Sequence, residues 1–254
     1  MMLKNFGQME QFVREQSGKK RVALAAAHDA DALGSLMMAV DRGIAEAILI
    51  GRRKEIVRVL DEMGKDAGDF RIIEEEDDRA AADKAVELVH RGEADMPMKG
   101  LMHTSTFMKA ILDKEKGLKE DGNLLSQASV FEIPEKDRFL IISDCAVNID
   151  PDLETKIKIT ENAAALGIEQ PKIAVLSAVE VVNPKIRSTV DAAAMRERLS
   201  DRYLIDGPLA LDNAIDEAAA HHKGIESPVA GNADILIVPD LWSLSLIHIS
   251  EPTR

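Results

Sequence analysis

An α/β fold with mainly parallel sheets, divided into two domains, is what the sequence predicts, and three observations carry the prediction. Short apolar runs alternate with amphipathic helical segments across the first half, with short polar turns between them, the pattern of a parallel sheet covered on both faces. A charged stretch at residues 112–123 (LDKEKGLKEDGN), with two glycines, loses the apolar period and marks a domain boundary. Beyond it, residues 129–133 and 138–143 read as a strand pair joined through Pro134-Glu135-Lys136-Asp137, which interrupts the alternation and supports a second domain. The expected division is residues 1–123, residues 124–241, and a tail at 242–254 foreign to the fold.

In chain order, Phe6, Met9, Phe12 and Val13 recur at helical intervals within residues 5–16. Residues 21–27 (RVALAAA) read as a buried strand, and Asp29 is the expected cap of a helix over 30–42 with Leu33, Leu36, Met37 and Val40 on one face. A strand at 45–51, a helix at 53–63, a strand at 70–73 and a helix at 78–91 follow. Residues 94–111 (ADMPMKGLMHTSTFMKAI) then read as a buried strand, a break at Lys99-Gly100, and a helix opening near Thr104. The second half predicts a helix at 151–166 with Pro151 near its first turn, a strand at 172–177 and a helix at 188–199. A brief strand at 203–206, a helix at 209–222 and a strand at 234–239 complete it. Residues 242–254 (WSLSLIHISEPTR) resemble translated sequencing-adapter read-through and are excluded from fold reasoning, although 244–249 alone would read as a strand.

Composition narrows the function. Of 254 residues, 46% are hydrophobic and 30% charged, as in an ordinary globular protein, while aromatics are only 3%. The core is therefore aliphatic, and little is left to stack on nucleic-acid bases. A formal charge of −13 repels nucleic acid and anionic membranes, so an anionic ligand has to be held by local charge. One cysteine, Cys145, excludes an internal disulfide and fits a reducing cytoplasm. No apolar run nears transmembrane length, and residues 1–20 carry no signal-peptide core.

Three strand ends gather polar groups, where open α/β sheets bind ligands. The first is residues 99–106. The opening turn of a helix presents unpaired N–H groups and partial positive charge, Thr104, Ser105 and Thr106 add hydroxyls, and Lys99 and Lys109 add ammonium groups, so the stretch suits phosphate. Thr104 as a simple cap with both lysines solvated is the alternative. His103, inside the loop, is a candidate ligand contact. The second is residues 143–148, with Asp144 and Asn148, and the third is Asp206-Gly207-Pro208 with Asp212 and Asn213 following. By spacing alone Asp144 and Asp206 read as capping carboxylates, and Asp212-Asn213 as a solvated helix face. Cys145 has no adjacent cation and reads as packing, His28 as structural, and His221-His222 as a helix end. Zinc spacing, a Walker loop, GxGxxG and a Ser-His-Asp pattern are absent.

Taken together, ADMPMKGLMHTSTFMKAIL, SDCAVNIDPDLETK, PKIAVLSAVEVVNPKIRSTVDAAAM and DGPLALDNAIDEAAAHHKGIESPVAGNADILIVPDL resemble, in this order, the phosphate acetyl/butyryltransferase family. The likeness is to its butyryl branch and runs over residues 21–241. It implies two α/β domains with a cleft between them, akin to isocitrate and isopropylmalate dehydrogenases, and conversion of acyl-CoA and inorganic phosphate to acyl phosphate and CoA. It also implies no metal or redox cofactor, a cytoplasmic enzyme, and a homodimer or larger homo-oligomer. On the family's motifs, Lys99, Gly100, Thr104, Ser105 and Thr106 match the phosphate-side loop, and Lys109 stands where many members carry arginine. Asp144 and Asn148 match a second substrate motif, and Asp206 and Asn213 a third. Family members continue past the equivalent of Leu241 to a strand ending in Ser-Arg followed by Asp. That arginine grips the phosphoryl group and the aspartate deprotonates a thiol of pKa about 8.5. This chain contains neither these residues nor the strand returning to the first domain, so no catalytic residue is assigned and little activity is expected. Two rivals are a metal- and NAD-dependent decarboxylating dehydrogenase of the same fold, and a CoA- or anion-binding module without catalysis.

Overall fold

The computed structural model describes residues 4–16, 18–144 and 146–244. They fall into two compact units, one spanning Met9–Asn123 and the other taking Leu124 onwards together with the residues up to Gln8. Grouping the chain's start with the second unit corrects the expected 1–123 domain. The reason is specific pairing: Lys4 Nζ binds Asp137 at 2.8 Å, Phe6 N–H donates to Glu132 at 2.8 Å, and the Phe6 and Phe139 rings lie 5.1 Å apart. Helix α1 (Phe6–Glu15) starts at this anchor.

The first unit alternates β1 (Lys20–Ala25), α2 (Ala30–Asp41), β2 (Ala45–Gly51), α3 (Arg53–Glu62), β3 (Arg71–Glu74), α4 (Asp78–His90), β4 (Met96–Lys99) and α5 (Thr104–Ile111). Asp29 caps α2 by accepting from Ala32 N at 2.9 Å, and Asp77 does the same for α4 from Ala80 N at 2.8 Å. The sheet order is β3-β2-β1-β4, with every pairing parallel. Strand residues alternate between two cores. Leu33, Leu36, Ile56 and Leu60 cover Val22, Leu24 and Leu49 on one face, while Ala82, Ala85, Val86 and Ala110 cover Ala23, Ala25, Ile48 and Ile50 on the other. The chain leaves β1 toward the first face and β4 toward the second, so the carboxyl ends of these neighbours form a topological switch point.

The second unit contains β5 (Ala128–Ile133), β6 (Arg138–Ser143), α6 (Leu153–Ala164), β7 (Lys172–Leu176), α7 (Arg187–Leu199), β8 (Leu204–Leu209), α8 (Leu211–Ile215), α9 (Glu217–His222) and β9 (Ile235–Ile237). Its order is β5-β6-β9-β7-β8, with β5 antiparallel to β6 and the rest parallel. Helices α6 and α7 pack on Ile141, Ile173, Val175 and Ile235, and α8 packs on Leu140, Ile142, Ala174 and Leu236. Two expectations change here. The predicted helix 209–222 is two short helices, because Asp216 turns extended and accepts from Ala218 N at 2.7 Å and Ala219 N at 3.2 Å. Pro151 lies outside α6, which is capped by Asp152 through Thr155 N at 2.8 Å. Leu241–Leu244 is a 3₁₀ turn, and the apolar run at 245–249 lies outside the described residues. The remainder of the tail and Cys145 lie outside the described residues. No helix among the described residues is long and apolar enough to cross a membrane.

Candidate functional site

In the first unit the switch point is built around one loop. Gly100 N–H donates to Ala25 O at 2.7 Å and Leu101 N–H to Ala26 O at 3.3 Å, so the chain leaving β4 is laid directly on the end of β1. Lys99, expected as a mobile ammonium, is instead partly buried and folds over its own loop, donating to Gly100 O at 3.2 Å and Met102 O at 3.0 Å. Thr104 is not the cap of α5. That position belongs to His103, whose side chain makes no capping bond. His103 O accepts from Thr106 N at 3.0 Å and Phe107 N at 3.3 Å, which leaves the Thr104 and Ser105 amides of the first turn without an acceptor among the described residues. His103, Thr104, Ser105 and, one turn on, Lys109 are exposed, and Thr106 is half-buried. On the β1 side, His28 has a buried Nδ1 with no partner among the described residues, so the hydrogen bond expected of a structural histidine is missing at that nitrogen.

Among the second unit's candidates, Asp144 is buried at the end of β6. Its carboxylate accepts from Ala146 N at 2.9 Å, Val147 N at 3.0 Å and Asn148 N at 3.3 Å, and from Asn148 Nδ2 at 2.5 Å. Asn148 Nδ2 also donates to Leu125 O at 3.1 Å. The pair is a folding device for the loop after β6 rather than two free ligands, with Asp144 capping the turn that follows it, not a helix. Asp144→Ala strands three backbone N–H groups, with an expected loss of about 2 kcal/mol read from urea unfolding. Asp144→Asn, which keeps one acceptor oxygen, is expected to lose less.

Asp206 is not at a strand end. Strand β8 runs on to Leu209, and Asp206 pairs opposite Ala174 within it. Its carboxylate accepts from Arg196 of α7 at 3.2 Å and from Gly207 N at 2.8 Å. Asn213 is fully buried rather than on a solvated face. Its Nδ2 donates to Glu180 Oε1 at 2.5 Å, and its Oδ1 has no partner among the described residues. Lys223 Nζ reaches Glu180 at 2.7 Å and Asp212 at 3.0 Å. The Lys223 ammonium, bonded to both, holds the Glu180 and Asp212 carboxyls below the usual carboxylate range. Glu180, in the loop after β7, is the residue that sequence reasoning missed. A single acid set among Val179, Val181 and Val182 at a strand's carboxyl end was the available signal. Within each unit, then, the structure gathers residues 99–106 and Lys109, joins Asp144 to Asn148, joins Asn213 to Glu180, and sets Asp206 apart. Among the described residues no group of three or more His, Cys, Asp or Glu is arranged to hold a metal ion.

Comparison with known proteins is consistent across three levels. The family model described as phosphate acetyl/butaryl transferase matches residues 79–245. The phosphate butyryltransferase of Clostridium acetobutylicum is 47% identical, over 97% of this chain and 84% of that protein. The phosphate acetyltransferase of Thermotoga maritima is 40% identical, over 94% and 84% respectively. Among solved structures, a branched-chain phosphotransacylase from Enterococcus faecalis superposes with a TM-score of 0.78 at 32% identity, covering 91% of this chain and 83% of that one.

Proposed function

The chain belongs to the phosphate acetyl/butaryl transferase family and is a phosphate acyltransferase, and from that premise we propose a short, butyryl-type acyl group and a division of labour among its residues. Inorganic phosphate is held at the opening of α5. The observation that carries this reading is the uncapped first turn at the β1/β4 switch point, with Thr104 and Ser105 exposed beside it and Lys109 one turn on. Amide N–H groups, hydroxyls and one ammonium supply local positive potential inside a chain of net charge −13. The ammonium of Lys109 acts as a point charge, without the two-pronged grip of an arginine. A phosphate oxygen attacks the thioester carbonyl, the tetrahedral oxyanion collapses, the C–S bond breaks, and the sulfur leaves as CoA thiolate, which takes up a proton. Metal and redox cofactors have no step in this sequence, since the nucleophile and the leaving group are both supplied by the substrates.

On the acyl-CoA side, the loop set by Asp144 and Asn148 and the Glu180 loop held by Asn213 and Lys223 lie at the carboxyl ends of β6 and β7. They contribute shape and a fixed carboxylate there, and Asp206 takes no part. The enzyme works in the cytoplasm as a homodimer or larger homo-oligomer. The decarboxylating dehydrogenase reading is not favoured, because the relatives are named acyltransferases. The test pairs calorimetry of inorganic phosphate and of butyryl-CoA with phosphate-dependent thiol release from butyryl-CoA and acetyl-CoA. Binding of both ligands, with butyryl-CoA preferred over acetyl-CoA, is the expected result. A chain that binds neither ligand, or that releases thiol without regard to phosphate, would overturn it.

A further inference from the structure

We infer that Lys99 is a positioning residue, which shapes the loop presenting His103, Thr104 and Ser105 and does not itself grip the phosphoryl group; the inference rests on the phosphate reading above and deepens it. Lys99 closes β4, and its ammonium turns back on the chain that follows, donating to Gly100 O at 3.2 Å and Met102 O at 3.0 Å. From the other side the main chain pins the same loop, through Gly100 N to Ala25 O at 2.7 Å and Leu101 N to Ala26 O at 3.3 Å. Met102 N–H donates to Gly100 O at 2.9 Å, so this carbonyl accepts from the amide and the ammonium together. The link between β4 and α5 is thus curled around one cation, and His103 emerges from it as the open cap of α5.

Two consequences follow from the physical chemistry of that arrangement. A carbonyl beside an anion site presents partial negative charge to the anion, and the ammonium of Lys99 offsets this at Met102 O and, together with the Met102 amide, at Gly100 O. Most of its donor capacity is thereby committed to the chain rather than to a ligand. Lys109 differs on each count. It is exposed on α5 and makes no hydrogen bond or ion pair among the described residues, so it is the cation free to meet phosphate. The two lysines that look equivalent in sequence therefore hold different roles, one building the loop and the other serving it.

The experiment compares Lys99→Met and Lys99→Gln with the unaltered chain by amide hydrogen exchange without substrate, and by calorimetry with inorganic phosphate. For Lys99→Met the expectation is faster exchange at residues 101–103 with β1 and β2 still protected, and phosphate binding about tenfold weaker, the worth of one charge-assisted hydrogen bond. Lys99→Gln, whose amide still donates to one carbonyl, falls between on both measurements and carries the comparison if the methionine variant does not fold. Weaker binding with unchanged loop exchange would make Lys99 a direct ligand and overturn the inference. Faster exchange with unchanged affinity would make it merely structural, and no change in either would leave it without a role. Failure of the unaltered chain to bind phosphate would count against the phosphate site itself, while the exchange data would still report whether Lys99 holds the loop.

Discussion

Gly100→Ala is expected to destabilise the first unit by about 3 kcal/mol, the upper range for overpacking, and to lower its melting temperature by roughly 10 °C or more. A Cβ at this position would stand 2.7 Å from Ala25 O and closer still to Ala26 O. Both atoms are backbone at the end of β1, so no side chain can swing aside to make room. Relief requires lifting the loop off the strand, which breaks the Gly100 N to Ala25 O bond and opens the link that Lys99 encloses. Stability and phosphate binding should therefore fall together. Gly34→Ala is the control: it lies inside α2 with the Met63 methyl at 3.5 Å, an ordinary contact, and alanine there should be neutral or stabilising by about 0.5 to 1 kcal/mol. Equal melting temperatures for Gly100→Ala and the unaltered chain would show that the loop does not lie on β1.

Lys156→Met is expected to cost about 3 to 5 kcal/mol in the second unit, the usual penalty for leaving a buried charge without its partner. Lys156 and Asp191 are paired at 2.7 Å between α6 and α7, with side chains only 5% and 13% exposed, so water cannot replace the lost ammonium. Arg187 Nε, 3.5 Å from the same carboxylate, is itself half in solvent and compensates only in part. Lys156→Met combined with Asp191→Leu should recover most of the loss, because two apolar side chains fill the space without a desolvated charge. Urea unfolding of the single and double variants measures the coupling directly. A double variant no more stable than Lys156→Met would indicate that packing, not charge, is what the pair supplies.

How much of this was legible in sequence depended on how far apart the interacting groups lie. The periods of α2 and α4 and the apolar runs of β1 and β2 are local, and so are the caps: Asp29 binds an amide three residues on, which spacing alone displays. Asp216 could be read only as one more polar residue in a helical pattern, since its extended backbone is decided by α8 and α9 packing separately. The site followed the same rule. Residues 99–106 form one segment and were recognised as one, whereas the partner of Asn213 lies 33 residues away on a different strand's loop, and Glu180 was overlooked.

The sequence by itself determined the alternation of strands and helices, the break at residues 112–123, the family, and the contiguous loop at residues 99–106 that is the candidate phosphate site. Each of these is written in contiguous residues or in their period. Only the tertiary structure decided which charged and polar side chains remain available to a substrate. Lys99, Asp144, Asp206 and Asn213 all have the right chemistry for a ligand, but each is engaged by its own chain. The physical reason is that a polar group removed from water must be satisfied by whatever the fold brings within hydrogen-bond reach, and that neighbour is set by packing rather than by adjacency in the chain.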